Sequence, residues 1–177
     1  MAATSTAPSA GTARPKGPDQ VPFGVPPQVG DALYLGFDTT QARLVLRIDV
    51  DCSQARGAGV DPEDPPLLWE VSDADAPGGY RVAEVLSDTT GGFNYGSGAV
   101  ELQLPSGHDS VTLGGTRAYW LRCRVSDTTR QGAAAAAFTH APEIYSITGG
   151  AIGATVRATH AEHVDAELNR IDQQIAL

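Results

Sequence analysis

The chain has 177 residues, and 12 basic against 21 acidic side chains give it a formal charge of −9. Acidity of that order excludes nonspecific nucleic-acid binding, which needs clustered lysine and arginine, and docking on an anionic membrane. Twenty glycines and 12 prolines beside only 6% aromatics point to many turns and short strands rather than long helices.

Residues 1–30 read as a flexible arm rich in Pro, Ala and Ser. Six of the 12 prolines lie between Pro8 and Pro27, and such a stretch buries too little apolar surface to offset the entropy of ordering it. It has no hydrophobic core of a secretory signal. From Asp31 the pattern changes. DALYLGF predicts a strand over 32–37. ARLVLRIDV alternates, with Leu44, Leu46, Ile48 and Val50 on one side and Val45, Arg47 and Asp49 on the other, which is the period of a half-buried strand. The loop DCSQARGAGVDPEDPP follows, and Pro65-Pro66 stops any strand before Leu67.

LLWEV predicts a strand over 67–71, DADAPGG a turn, and YRVAEVLS a single strand over 80–87. TTGGFNYGSG is a glycine-rich connection. AVELQL puts Val100, Leu102 and Leu104 on one face and Glu101 and Gln103 on the other. PSGHDS is a loop and LGGT a tight turn. YWLRCRV alternates Leu121, Cys123 and Val125 against Trp120, Arg122 and Arg124, so its charged side is a solvated face or an interface. The alanine run 133–137 is a loop leading into an edge strand, and EIYSIT is the last strand, over 143–148. Seven or eight short strands separated by turn signals predict a mostly-β fold, an antiparallel, jelly-roll-like β-sandwich over 31–158.

The tail, THAEHVDAELNRIDQQIAL over 159–177, contains no Gly or Pro. Ala161, Val164, Leu168, Ile171 and Ile175 recur at spacings of 3 and 4, a heptad seam, and Thr159 with Glu162 fits a capping box. The spacing predicts a C-terminal amphipathic helix. It packs either back on its own sandwich, or on another chain or a further part of this one, and Val164, Leu168, Ile171 and Ile175 are the candidate interface.

Several strings hold residue types that can carry chemistry. His160, Glu162 and His163 form H-x-E-H, but no C-x-x-C completes a zinc sphere. Asp49, Asp51, Asp61, Glu63 and Asp64 cluster without the spacing of a calcium loop, and short carboxylates ordinarily cap turns. Gly57-x-Gly59 and Gly149-Gly150 with Gly153 complete no nucleotide fingerprint. His108, Asp109 and Ser110 are adjacent on one loop, whereas a catalytic triad is assembled by tertiary contact. Cys52 and Cys123 read as two buried free thiols rather than a disulfide framework. The expectation is a non-enzymatic protein with no cofactor and no bound metal. Trp69 and Trp120 suggest an alternative, a sugar-stacking platform of a carbohydrate-binding module for surface or receptor recognition.

Taken in order, the strings DALYLGFD, GAGVDPEDPPLLWEV, EVLSDTTGGFNYGSGAVELQLPSGH, LGGTRAYWLRCRV and APEIYSITGGAIGATVRATHAEHV resemble one family. It is that of the large baseplate assembly proteins (J-like wedge components) of contractile injection systems and phage-like tails. The resemblance covers residues 31–164. It rests on the linked motifs L-W-E, D-T-T-G-G, L-P-x-G-H and Y-W-L-R-C-R-V. It implies a structural role in wedge and baseplate assembly in the cytoplasm. The partners it implies are other baseplate, spike, tube or sheath subunits; the heptad seam of the tail adds self-association through the C-terminal helix as a further contact. The acidic charge balance argues against nucleic-acid binding, and the lack of a long apolar run argues against membrane insertion. Members of the baseplate family are several times longer and continue past the H-A-E segment with a Gly-Pro stretch, where this chain runs into LNRIDQQIAL. The chain is therefore expected to be a fragment or a small relative, carrying the module rather than the whole wedge.

Overall fold

The computed structural model describes residues 22–154, 161–164 and 170–173. The chain forms β1 (Ala32–Phe37), β2 (Leu44–Cys52), β3 (Leu67–Ser72), β4 (Tyr80–Val82), β5 (Glu84–Asp88), β6 (Gly98–Gln103), β7 (Ser110–Leu113), β8 (Thr116–Val125), β9 (Ile144–Ala154), β10 (Ala161–Val164) and β11 (Arg170–Gln173). Among the described residues the one helical element is a 3-10 turn, Pro77–Gly79, and no helix is long and apolar enough to cross a membrane.

Two antiparallel sheets carry the fold. One has the order β1-β8-β3-β4 with β7 also on β8, and the other the order β5-β6-β2-β9. Period-two sequences make this arrangement possible, because each strand turns one apolar row inward. Leu33, Leu35 and Phe37 of β1, Leu121, Cys123 and Val125 of β8, and Leu67, Trp69 and Val71 of β3 form one side of the core. Leu46, Ile48 and Val50 of β2, Val100 and Leu102 of β6, and Ile147 of β9 form the other. All belong to a single buried cluster. The predicted inward rows of β2, β6 and β8 are the buried rows, apart from Leu44, which is half-buried. Cys52 and Cys123 are both free and buried, one in each sheet. Burial, with Asp51 nearby, pushes the Cys52 thiol up to about 11.

Five expectations need correction. The single strand over 80–87 is two. β4 pairs with β3 in one sheet and β5 with β6 in the other. The chain changes sheets at buried Ala83, whose N–H still donates to the Trp69 carbonyl. Ser110, expected at the end of a loop, and Leu113, expected at the start of a turn, bound β7, which is hairpinned onto β8 through Gly114-Gly115. The alanine run gives no edge strand. It makes one isolated bridge, Thr128 to Ala134, and is anchored by buried Phe138 beyond it. Phe23, placed in the arm by composition, is 5% exposed and packs on Phe93 with ring centroids 6.1 Å apart. The core thus begins before Asp31, while residues 1–21 lie outside the described residues.

The fifth correction concerns the tail. Where the spacing predicts a helix, Ala161–Val164 pairs antiparallel with Arg170–Gln173. Val164 is set opposite Arg170 and Ile171 opposite His163, so these two seam residues are not partners. Leu168 and Ile175 lie outside the described residues. The physical reason is length: two heptads without a covering partner leave a helix near the margin of its nucleation cost. A hairpin satisfies backbone groups across its own two strands.

Candidate functional site

The face of the first sheet turned away from the core is not a plain solvated surface. On β8, Trp120, Arg122 and Arg124 point outward because Leu121, Cys123 and Val125 point inward. Register then decides what they meet. Glu70 of β3 lies opposite Arg122, Val82 of β4 lies opposite Glu70, and Tyr34 and Gly36 of β1 lie opposite Arg122 and Trp120. Glu70 Oε2 accepts hydrogen bonds from Arg122 Nε at 2.8 Å and Arg124 Nε at 2.9 Å, and its Oε1 accepts one from Arg124 Nη2 at 3.1 Å. The carboxylate side chain is 8% exposed, and the two guanidinium side chains are 16% and 25% exposed.

Aromatic rings frame this network. The Arg122 guanidinium lies 3.3 Å from the centroid of the Tyr80 ring, a cation–π contact. Tyr34 meets Trp120 edge-on, with centroids 6.3 Å apart. The indole N–H of Trp120 donates to the Val111 carbonyl at 3.0 Å. Gly36 leaves room for that indole, since a Cβ there would lie 3.0 Å from the ring. Buried Ser72 ties the end of the face together: its hydroxyl donates to the Asp109 carbonyl and accepts from the Trp120 N–H. The result is a fixed layer of two cations, one carboxylate and three aromatic rings.

Burial by itself would push the Glu70 carboxyl up, but the hydrogen bonds from Arg124 and Arg122 outweigh it and hold the group below its ordinary 4.5. Asp73 is likewise held low by Arg81. A carboxylate depressed in the folded state stabilises the fold fully above its unfolded pKa and loses that contribution as pH falls through the lower folded value. Stability is therefore expected to decline as pH drops below about 4.5. Glu70→Gln should lower the urea midpoint at neutral pH and flatten this acid limb. An acid limb unchanged by Glu70→Gln would remove the network from the account.

The remaining sequence candidates are dispersed. His108 is 5% exposed and its Nδ1 accepts from the Gln41 N–H, Asp109 accepts from the Ala74 N–H, and Ser110 accepts from Arg117. The three face different neighbours. Burial pushes the His108 imidazole below its ordinary range. Asp61 caps the Glu63 N–H, Asp49 pairs with Arg47, and Asp51 accepts from Ser97. Among the described residues no group of three or more His, Cys, Asp or Glu is placed to hold a metal ion. His160 lies outside the described residues, and Glu162 and His163 fall in β10. Trp69 is 3% exposed in the core, so it and Trp120 occupy opposite faces of one sheet and form no shared platform.

The sequence reading passed over Glu70, Tyr34 and Tyr80. The signal was there in part: Glu70 is the one charge within LLWEV, and Arg122 and Arg124 repeat at the spacing of one face. Only strand register reveals that they meet. In comparisons with known proteins, no protein-family model matches the chain and no curated protein matches it.

Proposed function

We propose that this chain is a structural component of the baseplate of a contractile injection system, acting through protein–protein contacts rather than catalysis. One observation carries the reading: the four ordered motifs are all scaffold. L-W-E and Y-W-L-R-C-R-V lie side by side in register and supply both core residues and the Glu70–Arg122–Arg124 layer. In D-T-T-G-G, Asp88 accepts from the N–H groups of Thr90 and Gly92 and closes the loop that inserts Phe93 into the core. In L-P-x-G-H, Gly107 abuts the Asp73 carboxylate and His108 is buried.

A face whose charged side chains are already held by one another gives up little rotamer freedom on association, which suits repeated assembly contacts. The partners in this reading are other baseplate, spike, tube or sheath subunits, joined in the cytoplasm. Val164 and Ile171 belong to the contact set as strand residues rather than as a helical seam. In cells that encode this chain, its deletion should abolish sheathed particles in negative-stain electron microscopy, and expression from a plasmid should restore them. Purified particles should contain the chain by mass spectrometry. Contractile particles in normal number without it would overturn the reading.

A further inference from the structure

The strand switch at Ala83 leaves a groove of about 840 Å³ beside the two sheets, within the usual size range of ligand clefts. Its walls are the first residues of β3 and the whole of β5. Among the described residues β5 pairs only with β6, so its other edge is unpaired backbone. The groove carries apolar side chains that water should not favour. Val82 is 56% exposed, Leu86 at the β5 bulge is 51% exposed, and Tyr95 is 61% exposed. Around them, among the described residues, stand four carboxylates, Glu63, Asp64, Glu84 and Asp88, against the single cation Arg130. Arg130 is itself engaged, donating to the Glu63 carbonyl at 2.8 Å and lying 3.9 Å from Asp64. Glu63 and Glu84 remain exposed.

We propose that this groove is a docking site for an extended, basic segment of another protein, which adds as a strand to the edge of β5. Unpaired edge groups supply backbone hydrogen bonds, the apolar patches take alternate side chains, and the acidic rim selects lysine or arginine between them. Charge decides the occupant. A second copy of a chain carrying −9 would bring mainly like charge to an acidic groove. The inference does not depend on the baseplate reading, because it rests on edge, apolar lining and charge alone.

The test uses the full chain and a fluorescent alternating Arg-Val octapeptide, followed by anisotropy at low salt. Saturable binding is expected, weakened at least tenfold by Glu63→Lys with Glu84→Lys. Both side chains are exposed, so the double variant should keep its circular dichroism spectrum. Replacing alternate peptide N–H groups by N-methyl should cost a similar factor, and a Glu-Val octapeptide should not bind. Absence of binding, equal binding of the acidic peptide, or indifference to N-methylation would each overturn the proposal. So would a tenfold gain in binding by Arg14→Glu with Lys16→Glu, which would make the chain's own N-terminal segment the occupant. A dimer in sedimentation that Glu84→Lys dissociates would instead assign the groove to a second copy.

Discussion

Gly92→Ala is expected to destabilise the fold by about 3 kcal/mol, read as a shift of the urea midpoint, because two costs fall on one position. The backbone at Gly92 has φ of +61°, where a side chain is strained by about 1–2 kcal/mol. A Cβ there would also lie 2.3 Å from Pro65 Cβ and 2.7 Å from Pro65 Cγ. Pro65 is a rigid ring, fully buried beside Leu67, and has nowhere to retreat. Overpacking of this kind costs about 1–3 kcal/mol. Gly114→Ala separates the two terms. Its φ is +57° but nothing lies within 4 Å of the added methyl, so only the backbone cost of about 1 kcal/mol should appear. Equal effects at both sites would show that the packing of the D-T-T-G-G loop against Pro65 contributes nothing.

Leu121→Ala should cost more, about 4 kcal/mol, in the upper part of the range for truncating a buried leucine. Leu121 is 0% exposed and lies in register between Leu35 of β1 and Val71 of β3, both buried. Hydrogen-bonded strands on both sides hold the backbone in place, so neighbouring side chains cannot collapse into the void. A domain of this size has only about 5–15 kcal/mol to lose, so the variant should be visibly less stable in urea. Leu121→Met, which keeps the volume, should lose under about 1.5 kcal/mol. Leu86→Ala, at an exposed position, should lie within about 0.5 kcal/mol of the parent. A Leu121→Ala cost below about 1 kcal/mol would contradict the placement of this residue at the centre of the sheet.

Legibility in the sequence followed the range of the physics involved. The period of two is local, so the strands at 32–37, 44–52, 67–72 and 116–125 could be read to within a few residues, with their inward rows. Pro65-Pro66 announced the start of β3 for an equally local reason, the missing N–H. The YRVAEVLS strand failed because its pattern does not reveal which sheet each half joins. That is settled by what lies across from Tyr80 and from Glu84. β7 failed because four half-polar residues before a Gly-Gly turn become a strand only against β8. The tail misled for the opposite reason. Its heptad spacing is a valid local signal, yet a short apolar seam commits to helix only if something covers it.

The candidate face shows the same division. Alternation alone determined that Trp120, Arg122 and Arg124 share a side and that Leu121, Cys123 and Val125 are buried. Composition alone determined an acidic, turn-rich, mostly-β chain. Tertiary structure decided that Glu70 holds both arginines, that Trp69 is core rather than platform, and that β5, among the described residues, is left with an unpaired edge. The reason is that side-chain direction repeats along one strand, whereas pairing depends on register between strands far apart in the chain. A shift of one residue in that register would exchange every one of these contacts.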